Sequence, residues 1–258
     1  MNRQRHEKFL RLWPKFFGHA ELPVAFWYGN DPGSARPART IFGHSCLIND
    51  LVRVRRGQSL AFNEKSVACD GGKRYLGFSD VMRPGFEFFL SCGIPGKLAG
   101  ERYKKSPEIV RRMQRHLIPL AAGGRYVVFK RWDKLAEEDR PEVVVFFAVP
   151  DVLAGIFTLF SFAEAEPVRV VAPFAAGCGS IVYYPYLEKD KAEPRGIIGL
   201  FDPSARPGAE ADVLTFALPL KKFSAMVDDM EESFLITPTW KKIRRRIDKR
   251  FPSVKGKA

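Results

Sequence analysis

Four cysteines, Cys46, Cys69, Cys92 and Cys178, carry the richest chemistry in this chain. Thiolates bind zinc and iron–sulfur clusters, and four is the full complement for either. The intervals between them are 23, 23 and 86 residues, with no Cys-x-x-Cys pair, so the fold itself must assemble any shared site. His44 is a substitute ligand in the same reading. On a helix it would diverge from Cys46, whereas in a loop or strand both side chains could face one site.

The surroundings of the cysteines point the same way. Gly177-Cys178-Gly179-Ser180 joins a strand-like run to an apolar, helical segment, and Cys69-Asp70-Gly71-Gly72-Lys73-Arg74 is a second turn of this kind. Leu90-Ser91-Cys92-Gly93 is a third. Glycine lets a turn bare its amides, and a following helix adds a positive dipole end that favours a thiolate or a bound anion. The candidate ligand-binding residues are therefore Gly177, Cys178, Gly179, Ser180, Gly71, Gly72, Lys73 and Arg74. The candidate metal ligands are Cys46, Cys69, Cys92 and Cys178, for a metal ion or an iron–sulfur cluster. The plainer alternative is that the glycines only permit close packing and Cys178 is a small buried hydrophobe.

A thiol-dependent enzyme, with Cys178 or Cys69 as nucleophile, would need a base. The histidines are His6, His19, His44 and His116, and His44 is the one in a suitable context. No Gly-x-Ser-x-Gly elbow, His-Glu-x-x-His pair, dinucleotide fingerprint or nucleotide P-loop is present. Catalysis is left open by the sequence.

The net charge of +13 draws the chain toward polyanions, and the excess is uneven. Residues 241–258 hold nine Lys or Arg against the single Asp248. Thr237 and Pro238 start a helix there, with apolar residues spaced for docking and Lys241, Lys242, Arg244, Arg245 and Arg246 on the remaining faces. Nucleic acid or another polyanion is the alternative partner, although no known nucleic-acid motif accompanies the helix. The chain begins without a charged-then-apolar leader, and Pro150-Asp151 divides its longest apolar run. These features predict a cytoplasmic protein with reduced thiols and no membrane partner. The oligomeric state is not legible.

The elements that must position these residues read as an α+β fold, a mixed, largely antiparallel sheet with packed helices in a single domain over 1–258. A helix spans about 3–17 with a break at Pro14, and another follows Ser45 to about Arg56. Val144–Pro150 and Val213–Pro219 share Val, Phe-Ala, a branched aliphatic residue and Pro in register, 69 residues apart. Each is preceded by a strand and followed by helical spacing. The match predicts a pseudo-duplicated strand-strand-helix unit over 125–163 and 195–233, with a basic helix and tail over 238–258.

Several short stretches together resemble an uncharacterised family, domain of unknown function 169. They are Cys46 before a helix, Cys69–Gly77, Gly100-Glu101-Arg102-Tyr103, Val143–Pro150, Gly177-Cys178-Gly179 and Phe201–Pro207. The resemblance covers about residues 20–247. It implies a soluble cytoplasmic protein of bacterial or archaeal type and brings no activity with it.

Overall fold

The computed structural model describes residues 2–39 and 46–252. Its strands are β1 (Val24–Gly29), β2 (Arg36–Pro37), β3 (Leu60–Phe62), β4 (Tyr126–Arg131), β5 (Val143–Ala148), β6 (Val170–Val171), β7 (Gly196–Gly199) and β8 (Leu214–Pro219). They form one eight-stranded mixed sheet in the order β2-β3-β4-β1-β5-β8-β7-β6. Helices pack on both faces, which gives the α+β class expected from the sequence. The two middle strands, β1 and β5, are almost wholly apolar because both faces are covered. All six residues of β5 are buried.

The helices are α1 (Arg3–Phe17), α2 (Leu47–Arg55), α3 (Asp70–Tyr75), α4 (Phe86–Phe89), α5 (Pro107–Arg115), α6 (Pro150–Ser161), α7 (Tyr184–Leu187), α8 (Leu220–Asp229) and α9 (Pro238–Arg250). A π-helical turn, Gly179–Tyr183, leads into α7. Side chains alternate across each strand, so neighbouring residues report which layer lies on which face. Phe146 meets Trp13 of α1 and Phe223 of α8, whereas Phe147 meets Arg55 of α2. Phe216 packs on Phe160 of α6, whereas Thr215 lies under Ser180 of the π-helical turn. One face therefore carries α1, α6, α8 and α9, and the other carries α2 and the π-turn with α7.

The two matched segments become similar strand-to-helix corners, with β5 entering α6 at Pro150 and β8 entering α8 after Pro219. These strands pair antiparallel with Phe146 opposite Phe216. The strands before them are placed differently, because β1 separates β4 from β5 while β7 lies beside β8. The symmetry visible in the sheet has a longer unit than 125–163 against 195–233. Strands β1 to β4 lie in the order 2-3-4-1, and β5 to β8 repeat that order outward from the antiparallel β1–β5 pair. The pairing pattern repeats too. β2 and β3 are parallel, as are β6 and β7, while every other pairing is antiparallel. Strand order and pairing therefore repeat on either side of the β1–β5 pair.

Helix α1 is unbroken across Pro14, contrary to expectation. The proline lies in the last turn, where the amide it lacks removes one terminal bond rather than splitting the helix. Helix α2 starts at Leu47 with Cys46 at its N-cap position; Ser45, the expected cap, and His44 lie outside the described residues. The basic helix ends at Arg250, and the tail from Ser253 is outside the described residues as well. No helix among the described residues is long and apolar enough to cross a membrane.

Candidate functional site

Within the pseudo-symmetric frame, α2 connects the second and third strands of the first half. The π-turn with α7 does the same in the second. Cys46 is the N-cap of α2, and Cys178 is the N-cap of the π-turn. Both thiols thus lie at the start of the helical segment that joins the second and third strands of their half. A third, Cys69, is the N-cap of α3 in the long β3–β4 connection.

These three helix starts meet. A Cβ added to Gly177 would lie 3.1 Å from Ile48 in the first turn of α2 and 3.1 Å from Ala205. One added to Gly179 would lie 3.1 Å from the Tyr75 ring at the end of α3. One added to Gly72 would lie 2.9 Å from Val67, while Gly71 faces the Cys69 sulfur at 3.7 Å. None of these four glycines has a positive φ. Gly72, Gly177 and Gly179 are glycine because neighbouring segments press against their backbones, a packing role rather than the open anion-cradling turn expected. Gly71 and Gly72, with Lys73 and Arg74, lie inside α3. Arg74 is engaged, its guanidinium donating to the Asp80 carbonyl.

The electrostatics also depart from the expected helix-end thiolate. Cys178 is buried, and burial pushes its thiol far up, with Cys69, Cys46 and Asp202 adding to the shift. Burial raises the Cys46 thiol as well; the amide of Ile48 opposes this, while Cys69 and Asp202 reinforce it. Desolvation outweighs the favourable helix end at both positions. With no cation bound, these thiols are neutral at physiological pH.

Cys92 does not join the other three. It is exposed in a loop that folds onto itself through the Ile94–Leu98 bridge, and its sulfur contacts the Gly93 carbonyl. The expected four-thiol set is therefore a set of three. Ser180 is buried beside this meeting of segments. It is 1% exposed, and its hydroxyl is used within the backbone, donating to Gly177 and accepting from Leu200.

Other residues join the site. Tyr75 is raised by burial and then by Cys178, and its ring packs against Gly179, the residue after that thiol. Tyr103 is raised by burial and by a hydrogen bond with Glu101, and it also meets Ser204 and Asp202. Asp202 caps its own turn, accepting from the amide and hydroxyl of Ser204. Arg102 and Leu200 are the non-glycine residues with left-handed backbone among those described, at φ 56° and 69°. Both flank this meeting of loops, and strained backbone of this kind clusters at functional sites. Sequence reasoning did not place Tyr75, Tyr103 or Asp202 in the site. Their signal was membership of the short stretches Cys69–Gly77, Gly100–Tyr103 and Phe201–Pro207, which converge here.

Of the candidate bases, His6 packs on Trp132 under α1, and His44 is outside the described residues. Among the described residues no group of three or more His, Cys, Asp or Glu is drawn together tightly enough to enclose a metal ion.

No curated protein and no solved structure matches the chain. A family model described as Uncharacterised ArCR matches residues 17–229, which include Cys46, Cys69, Cys178, Tyr103 and Asp202. The chain belongs to this Uncharacterised ArCR family, domain of unknown function 169.

Proposed function

We propose that the protein binds an iron–sulfur cofactor through Cys46, Cys69 and Cys178. The observation that carries this reading is the meeting of three thiols, each at the start of a separate helical segment, where Cys69 makes ionisation of Cys46 harder and both make that of Cys178 harder. Three thiolates crowded in a partly buried site are unfavourable alone. A bound cationic centre reverses that balance by deprotonating its thiol ligands, and the helix starts then add to the stabilisation.

A cluster suits the arrangement better than a single zinc ion. Tetrahedral zinc draws its sulfurs to about 2.3 Å from one point, and no such gathering exists among the described residues. A cluster takes its cysteines on different iron atoms and so accepts wider spacing. Three thiols would leave a further coordination position for a small ligand, with Tyr75 and Asp202 as polar neighbours. Anaerobic purification with iron, acid-labile sulfide and zinc analysis tests the reading. Iron and sulfide in similar amounts support it. Metal-free protein, or zinc without iron, overturns it.

A further inference from the structure

The seven Lys and Arg residues of α9 fall into two groups. Three are fastened to the protein. Arg244 pairs with Asp248 and donates to the Pro14 carbonyl, Arg246 holds Asp151 at 2.9 Å, and Arg250 holds Asp212 at 2.8 Å. The other four, Lys241, Lys242, Arg245 and Lys249, are exposed and have no carboxylate partner among the described residues.

The division follows helix geometry. At about 100° per residue, Trp240, Ile243 and Ile247 occupy one narrow arc, and two of them, Trp240 and Ile247, are buried. Lys241, Arg245, Lys249 and Lys242 occupy an arc of roughly 100° centred on the opposite side. The three fastened arginines lie on the flanks between the two arcs. Helix α9 is held firmly, since Trp240 Nε1 donates to the Phe16 carbonyl at 2.9 Å. The free cations are therefore displayed on a rigid support. Lys241, Arg245 and Lys249 are spaced i, i+4, i+8, where like charges oppose the helix. Ordinary solvent-facing helices mix signs at such positions, and this one does not.

We infer that the outer face of α9 is a nucleic-acid interface that follows the phosphate backbone without reading sequence. From Lys241 to Lys249 the stripe is about 12 Å long at 1.5 Å per residue, enough to span roughly three or four phosphates of one strand at 3.4 Å each. An anionic lipid surface fits less well. Interfacial helices set exposed Trp, Phe or Leu beside their cations, and the apolar residues of α9 face the core. This surface is independent of the cysteine site.

The test is fluorescence anisotropy of the full chain with a random-sequence 30-base-pair duplex, at about 50 to 200 mM salt. Four phosphate contacts correspond to a log-log slope of about −3.6, a loss of about 10²-fold in affinity over that range. The variant K241Q/K242Q/R245Q/K249Q is expected to make the slope shallower by about 3 to 4, and K241Q/K249Q by about 2. The comparator K97Q/K105Q/R112Q/R115Q removes as many free cations from the α4–α5 region and is expected to leave the slope unchanged. Three results would overturn the inference: no binding at 50 mM salt, equal effects of the α9 variants and the comparator, or binding to phosphatidylserine vesicles with the duplex ignored.

Discussion

The amide of Leu200 donates to Ser180 Oγ at 3.2 Å, while the same hydroxyl donates to the Gly177 carbonyl at 3.0 Å. This buried link ties the left-handed backbone at Leu200, and hence the Asp202 turn, to the segment that carries Cys178. A Cβ on Gly199 would lie 2.2 Å from that hydroxyl, so the strand end is glycine to make room for it. Ser180→Ala strands the Leu200 amide without replacing its acceptor. Loss of about 1–3 kcal/mol is expected, measured by urea unfolding, together with reduced iron retention. An unchanged midpoint would show that the link is dispensable.

Gly155 is the groove into which α9 docks. A Cβ there would lie 2.3 Å from the Trp240 ring and 2.7 Å from Phe17. Alanine regains about 1 kcal/mol of helix preference, but overpacking a rigid core costs about 1–3 kcal/mol. Gly155→Ala is expected to destabilise the protein on balance. In a Trp240→Ala background the same change should cost less, with only the Phe17 contact left to relieve, and a double-mutant cycle by thermal unfolding reads the coupling. Additive effects would place the clash elsewhere.

Acid sensitivity should report Glu188. Burial alone would raise its carboxyl, yet hydrogen bonds from Arg195 and Lys191 prevail and hold it below the usual range. A carboxylate depressed on folding contributes stability above its unfolded pKa of about 4.3, and that contribution is lost as pH falls through the folded value. Glu188→Gln should lower stability at pH 7 and flatten its decline below about pH 4.3, as followed by denaturant titration across pH. A parallel downward shift at every pH would assign Glu188 a packing role only.

The limits of sequence reading show in particular residues. The α+β class and the strands β4, β5 and β8 follow from local patterning, because Val- and Phe-rich runs bounded by Pro and Gly specify buried strands. The Pro150 and Pro219 corners were legible for the same reason. The partner of each strand was not, since the place of β1 between β4 and β5 depends on contacts more than a hundred residues apart. At the candidate site, the starts at Cys69 and Cys178 were legible as glycine and cysteine turns, and the one at Cys46 as a helix following Ser45. The raised thiols of Cys46 and Cys178 were not, because the glycines on either side of Cys178 are packed by Ile48, Tyr75 and Ala205, each from a different segment. Cys92 has a similar local sequence and a different environment, a distinction only the fold makes.

That distinction predicts unequal thiol reactivity. In metal-free protein Cys92 is exposed, whereas Cys178 is buried with its thiol raised by burial and by Cys69 and Cys46. A maleimide reagent at pH 7.5 should label Cys92 first and Cys178 only after unfolding, as resolved by peptide mass mapping. Equal labelling rates would contradict the buried placement of Cys178.

Visible absorption of the anaerobically purified protein, compared across four single cysteine variants, tests the cofactor claim most directly. The wild-type chain and Cys92→Ala should both show the broad charge-transfer bands of an iron–sulfur cluster. Cys46→Ala, Cys69→Ala and Cys178→Ala should each lose most of that absorbance and the accompanying iron while remaining folded by circular dichroism. A wild-type protein without visible absorbance, or equal loss in Cys92→Ala and Cys178→Ala, would contradict the three-thiol site.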